Sequence, residues 1–134
     1  MGQLAYREVT EALPLHKRIQ ARLQAQVSWV DEDSNERVSI LGHTENVGES
    51  NALVNINVLP KVGSSVKLRL FDEDKHIIEI PATVIRVERD PSKPQAALAI
   101  VKNIKKWKNK VLAAAQDWVS RDLRLNYEGD DWLN

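Results

Sequence analysis

Apolar side chains recur at every second position in six separate segments of this chain, and residues that favour turns lie between the segments. Such alternation is typical of strands that bury one face. Six short strands joined by turns predict an antiparallel sheet closed into a barrel, since closure removes exposed strand edges. The positions that define the strands are Leu23, Ala25, Val27 and Trp29, then Val38 and Ile40, then Val54, Ile56 and Val58, then Val66, Leu68 and Leu70, then Ile78 to Val87, and finally Ala96, Leu98 and Ile100.

A helical period replaces this alternation between Lys105 and Arg121. The apolar residues at helical spacing are Trp107, Val111, Leu112, Ala115, Trp118 and Val119. We expect one helix whose apolar side packs on the barrel, with Trp107 and Trp118 covering it as a lid. The predicted organisation is therefore an N-terminal appendage at residues 1–16, a barrel at 17–103, a packed helix at 104–122 and an acidic tail at 123–134.

Composition removes several classes of protein. The chain has 134 residues, a length that suits one domain, and its 19 basic and 19 acidic residues balance, which speaks against bulk attraction to nucleic acid or to an anionic membrane. Cysteine is absent, and so are a signal peptide and any apolar run of membrane-spanning length. A cytoplasmic protein is the expected case.

The residues offer little for catalysis. His16, His43 and His76 stand apart from one another, and no spacing of histidines and carboxylates indicates a metal site. The glycines near Ser50 and Ser64 complete neither a nucleophile elbow nor a phosphate loop. We therefore expect no enzyme, no metal and no cofactor.

The most specific local feature is the segment that precedes the first strand, where Arg18 and Arg22 lie four positions apart beside Lys17. Arginine presents a planar fork that binds phosphate or the edge of guanine through two hydrogen bonds. Spacing alone does not separate an anion-binding pair from two solvated arginines. Ile19 is the one apolar anchor of this segment, which predicts that the segment is mobile until a ligand binds.

The pair Arg18-Ile-Gln-Ala-Arg22, followed 24 residues later by Asn46-Val-Gly-Glu-Ser-Asn51, resembles the PilZ domain family. That family places an RxxxR motif before the first strand and a [D/N]xSxxG motif after it. The likeness extends over about residues 17–103, including the later strand segments 63–70, 80–86 and 97–100. It implies a six-stranded antiparallel barrel with a terminal helix that binds the bacterial second messenger cyclic di-GMP.

The resemblance implies ligand contacts from Arg18, Arg22, Lys17, Asn46 and the turn from Gly48 to Asn51. The second motif departs from the pattern, because Gly48 stands where the family has Ser and Asn51 where it has Gly. Asn is the non-glycine residue that best accepts the left-handed backbone expected at position 51. Restoring the hydroxyl with Gly48→Ser is expected to tighten binding.

Three functions remain open. The first is a cyclic di-GMP receptor that relays the signal to a separate protein, such as a transcription factor or a motility or polysaccharide system, since no output domain is attached. The second is a PilZ-like adaptor with a decayed nucleotide site that acts through protein contact alone. The third is a small nucleic-acid-binding barrel, which the lysines between Lys102 and Lys110 favour and the zero net charge disfavours.

Overall fold

The computed structural model describes residues 18–133, and it describes side chains as far as Leu123. Lys17 and the predicted N-terminal appendage, residues 1–16, lie outside the described residues.

Six antiparallel strands form a closed barrel in the order β1-β2-β3-β6-β5-β4, and β4 pairs with β1 to complete the circle. The predicted fold class is confirmed. The strands are β1 (Gln24–Val30), β2 (Arg37–Val47), β3 (Asn51–Asn55), β4 (Ser65–Asp72), β5 (Lys75–Glu88) and β6 (Gln95–Ile100).

The barrel interior holds the side chains that the period-two pattern points inward. In β4, Val66, Leu68 and Leu70 are buried, while Ser65 before them and Lys67 between the first two face solvent. The other strands contribute aliphatic side chains in the same way, and each fully buried one stabilises the fold by about 1.5–3 kcal/mol. The interior is therefore a packed core, and any binding surface must lie on the outside of the barrel or on its loops.

The third strand begins earlier than the sequence predicts. It spans Asn51–Asn55, whereas the apolar pattern placed it over Val54, Ile56 and Val58. Ile56 is buried after the strand has ended, and Val58 is 47% exposed. The reason lies upstream: β2 continues as far as Val47, so the break between the two strands is shorter than expected and β3 starts immediately after it.

The C-terminal helix starts at a backbone reversal. Asn103 adopts the left-handed conformation, with φ of 56°, and α1 (Ile104–Trp107) follows it. A π-helical turn (Lys108–Leu112) joins α1 to α2 (Ala113–Leu133). Trp107, Val111 and Ala115, spaced by four, are fully buried against the barrel core, and Trp118 is partly buried there. The predicted packed helix is present.

The helix continues through the segment where the sequence predicts that an acidic tail begins. α2 reaches Leu133, well past residue 122. No proline interrupts the chain there, and Arg121, just before this segment, holds the helix to the β4–β5 turn through ion pairs with Asp72 and Glu73. None of the helices in the described part of the chain is long and apolar enough to cross a membrane.

Candidate functional site

The two arginines lie on one face of an extended segment. Inward and outward positions alternate before β1, so that Ala21 and Leu23 are buried while Arg18 and Arg22 are exposed. Four residues of extended chain separate their Cα atoms by about 13 Å. The motif spacing therefore places two guanidinium groups along the same outer surface, where one extended anionic ligand can reach both.

This segment is held more firmly than the sequence predicts. Ile19 exchanges two backbone hydrogen bonds with Val47, with N···O distances of 2.8 and 2.9 Å. Thr44, buried in β2, donates its hydroxyl to the carbonyl of Ala21 at 2.6 Å and accepts the N–H of Leu23 at 2.9 Å. The prediction that Ile19 alone anchors the segment is wrong, because a buried hydroxyl needs partners and finds them in this backbone.

A β-bulge brings Asn46 to Arg18. The register of β2 against β3 shifts between Thr44 and Asn46, so Glu45 is an additional residue in the strand. Thr44 and Val47 both point into the core, and Glu45 and Asn46 lie partly exposed between them. Asn46 thereby accepts a hydrogen bond from the Arg18 guanidinium through its side-chain oxygen. Two residues that are distant in sequence form one polar site.

The turn after β2 is closed by hydrogen bonds to three elements. Gly48 donates its N–H to the carbonyl of Asn51 at 2.8 Å, and the carbonyl of Ser50 accepts from Ile100 of β6 at 2.8 Å. The carbonyl of Gly48 accepts from the indole N–H of Trp107 at 2.9 Å, in a buried contact. The turn that completes the site is therefore bonded directly to the C-terminal helix.

Gly48 and Asn51 compete for one volume. A Cβ atom built on Gly48 would lie 2.4 Å from the side-chain oxygen of Asn51. That oxygen is buried and has no hydrogen-bond partner among the described residues. Asn51 pairs with Ala99 as the first residue of β3 and does not have a positive φ. The expected left-handed backbone at position 51 is wrong, and the residue acts through its side chain.

A second polar group extends from the bulge along β2 and β3. The side-chain N–H₂ of Asn55 donates to Glu45 and lies 3.0 Å from the imidazole Nε2 of His43. Burial, with the positive charge of Arg22, lowers the pKa of His43, whereas the hydrogen bond from Asn55 lowers the pKa of Glu45. At neutral pH the imidazole is therefore uncharged and the carboxylate is charged.

Of the predicted ligand-binding residues, the structure brings together Arg18, Asn46, Gly48 and Asn51, and it places Arg22 on the adjoining outer surface. Lys17 lies outside the described residues. Between residues 18 and 123, where side chains are described, no group of three or more His, Asp and Glu side chains could hold a metal ion.

Sequence reasoning missed the contributions of Thr44 and Trp107. Thr44 carries a detectable signal, since it is a polar residue at an inward position of a strand, where a hydroxyl must find a partner. The contact between Trp107 and Gly48 leaves no signal in the sequence, because 59 residues separate the two and an amphipathic pattern does not show where an indole N–H points.

No protein-family model and no curated protein sequence matches this chain. Solved structures do match this chain, among them two of YcgR and one of an inhibitor of motility. The PilZ domain with c-di-GMP of YcgR from Escherichia coli is 9% identical, covers 83% of this chain and 94% of its own, and has a TM-score of 0.57. YcgR in complex with c-di-GMP from Escherichia coli is 12% identical, covers 87% of this chain and 49% of its own, and has a TM-score of 0.56. The Bacillus subtilis inhibitor of motility MotI/DgrA is 22% identical, covers 80% of this chain and 49% of its own, and has a TM-score of 0.48.

Fold and connectivity thus define a small closed antiparallel barrel with a helix packed on it. In fold, it is a PilZ-like domain. The chain spans about half the length of MotI/DgrA and of the longer of the two YcgR chains.

Proposed function

We propose that this protein is a non-enzymatic, cytoplasmic receptor for cyclic di-GMP. The observation that carries the proposal is the Arg18 guanidinium held against Asn46 beside the Gly48–Asn51 turn, with Arg22 exposed on the same outer face. Two of the solved structures with this fold hold c-di-GMP, which supports the same ligand here.

The chemistry of the site suits a nucleotide with two phosphates and two guanines. Each arginine fork can pair with a phosphate or with the O6 and N7 atoms of guanine. The side-chain oxygen of Asn46 accepts a hydrogen bond from Arg18. This bond orients the N–H₂ group of Asn46 as a donor toward a base edge. The neutral overall charge requires that attraction for the ligand comes from this local group rather than from the whole surface.

The relay of the signal to a separate protein is part of the proposal. The bond from Trp107 to the carbonyl of Gly48 supports it, because a ligand that reorients the turn alters a contact of the C-terminal helix. A transcription factor or a component of a motility or polysaccharide system would be a suitable recipient.

Calorimetry tests the receptor directly. We expect cyclic di-GMP to bind the full chain, and we expect neither GTP nor cyclic AMP to displace it at equal concentration, since neither offers two guanines and two linked phosphates. Absence of heat with cyclic di-GMP, confirmed by an unchanged melting temperature at saturating nucleotide, would refute the receptor.

The crowding of Gly48 by Asn51 favours one alternative, a PilZ-like adaptor whose nucleotide site has decayed. The Asn51 side chain occupies the space where the family motif has a serine side chain. An adaptor of this kind would retain the barrel and the helix and act through protein contact alone. The third possibility, a nucleic-acid-binding barrel, keeps only the support of the exposed lysines between Lys102 and Lys110.

The same crowding changes the expected result of Gly48→Ser. The new side chain would force the end of the Asn51 side chain to move, so we expect the variant to lose about 0.5–1.5 kcal/mol of stability and to bind cyclic di-GMP no more tightly than the wild type. The sequence predicted tighter binding because it does not show that Asn51 fills the space.

The double variant Gly48→Ser/Asn51→Gly is the matched control, because it removes the obstacle. A urea-denaturation cycle over the four proteins should give a favourable coupling energy of about 0.5–3 kcal/mol. Strictly additive single effects would show that the two positions are independent. This readout needs no nucleotide, so it holds whichever ligand the protein binds.

A further inference from the structure

The chain leaves β6 through an exposed corner that leads into α1. All six residues from 101 to 106 are exposed, and none of them is acidic. Three of them are lysines and two are aliphatic, namely Lys102, Lys105, Lys106, Val101 and Ile104. The aliphatic side chains are 57% and 39% exposed. These six residues form what we call the basic corner, a surface that combines positive charge with apolar area.

The lysines of the basic corner do not serve the fold through ion pairs. In the described part of the chain they have no carboxylate partner, whereas Lys108, two residues beyond the corner, pairs with Glu49 at 3.8 Å. The first turn of α1 contains no acidic residue, and lysine is the less favourable charge at that end of a helix. The positive charge of the corner is therefore uncompensated and accessible to an acidic partner.

The basic corner is joined to the turn of the candidate nucleotide site. Trp107, which directly follows the corner, donates its indole N–H to the carbonyl of Gly48. Lys108 pairs with Glu49 in the same turn. Two side-chain contacts thus connect the corner to the place where the proposed ligand binds.

The chemistry of the basic corner favours an acidic protein segment over nucleic acid or a membrane. Surfaces that bind single-stranded nucleic acid add aromatic rings or arginines that stack on bases. The segment 101–110 has no arginine, and its one aromatic residue, Trp107, is fully buried. Helices that lie on membranes carry a long apolar face with bulky side chains, whereas the corner exposes two aliphatic ones. Both its charge and its small apolar area match a short acidic segment.

We propose that the basic corner is the surface on which this protein binds its partner, and that it recognises a short segment rich in Asp and Glu with an apolar residue among them. The carboxylates pair with Lys102, Lys105 and Lys106, and the apolar residue covers Val101 and Ile104. The proposal rests on the relay proposed above, for which it identifies a surface and a kind of partner. Binding at the corner does not itself require the nucleotide.

Fluorescence anisotropy with a synthetic peptide and the full chain tests the surface. The probe is a fluorescein-labelled peptide of repeating Glu-Glu-Leu, and the matched probe has Gln in place of every Glu. At low ionic strength we expect the acidic probe to bind about tenfold or more tightly than the Gln probe, and added salt should reduce the difference.

Two triple variants separate the basic corner from net charge. Lys102→Gln/Lys105→Gln/Lys106→Gln should weaken binding of the acidic probe about tenfold or more. The matched control is Lys61→Gln/Lys67→Gln/Lys93→Gln, which removes the same charge from other parts of the barrel and should bind within about twofold of the wild type. Val101→Ser/Ile104→Ser keeps the lysines and should weaken binding about threefold or more.

Three results would overturn the proposal. They are equal affinity for the two probes, equal weakening by the two triple variants, and tighter binding of phosphatidylserine vesicles or of a single-stranded oligonucleotide than of the acidic probe. The titrations contain no cyclic di-GMP, so their outcome does not depend on whether the protein binds the nucleotide. Failure of the receptor in calorimetry and failure of the basic corner in anisotropy are therefore distinguishable.

Discussion

Arg18→Ala is expected to weaken cyclic di-GMP binding by about tenfold or more, which corresponds to about 1.4 kcal/mol or more of binding free energy. Two losses combine in this variant. The ligand loses a guanidinium fork for phosphate or guanine, and Asn46 loses the hydrogen bond that orients its amide. Arg22→Ala should lose the first of these but not the second. Calorimetric titration of each variant measures the difference.

Two controls separate geometry from charge. Arg18→Lys keeps the charge but not the fork, so it should recover only part of the affinity. Arg37→Ala removes an exposed arginine at the start of β2, away from Asn46, and should bind as the wild type does. Equal loss in Arg18→Ala and Arg37→Ala would show that the protein responds to net charge and that the arginine motif has no special role.

Trp107→Ala should be the most destabilising single change, with a loss of about 3–5 kcal/mol in the free energy of unfolding. The indole is fully buried in the core cluster, and its removal leaves both a cavity and an unpaired carbonyl on Gly48. Truncation after Asn103, which also removes Val111 and Ala115, should prevent the barrel from folding stably. Urea denaturation of the variant and the melting behaviour of the truncated chain test these results.

Trp107→Phe is the variant that isolates the hydrogen bond. It keeps most of the packing and removes the indole N–H, so we expect a loss of about 1–3 kcal/mol from the unpaired buried carbonyl. A Trp107→Ala protein that denatures like the wild type, or a truncated chain that melts like the whole, would mean that the helix contributes nothing to the barrel and that the core assignment is incorrect.

The barrel could be predicted because its signal is local. Alternation of buried and exposed residues in each strand, such as Val66, Leu68 and Leu70 in β4, is a property of consecutive residues, and the turn residues between strands are equally visible. The helix could be predicted for the same reason. Its continuation to Leu133 could not be, because acidic residues are compatible with both a helix and a tail, and the ion pairs of Arg121 with the β4–β5 turn depend on the fold.

The site was predictable only as a set of residue types. The spacing of Arg18 and Arg22 indicated the arginine pair, but the bulge at Glu45 that brings Asn46 to Arg18 is a register shift between two strands. No pattern within β2 reveals it. The consequence of the changes at Gly48 and Asn51 likewise depended on the direction of one side chain, which residue type alone does not specify.

The exclusion between Gly48 and Asn51 also constrains how such a sequence can change over generations. A serine at position 48 requires the end of the Asn51 side chain to move, because a Cβ there would lie 2.4 Å from the Asn51 oxygen. Removing the asparagine first leaves a strand residue without a side chain, which costs about 0.5–1 kcal/mol relative to alanine. Each of the two single steps therefore passes through a less stable protein, and the order of replacement matters: loss of the asparagine before gain of the serine avoids the collision. A lineage whose protein is only marginally stable would therefore keep the pair of residues that it already had at positions 48 and 51.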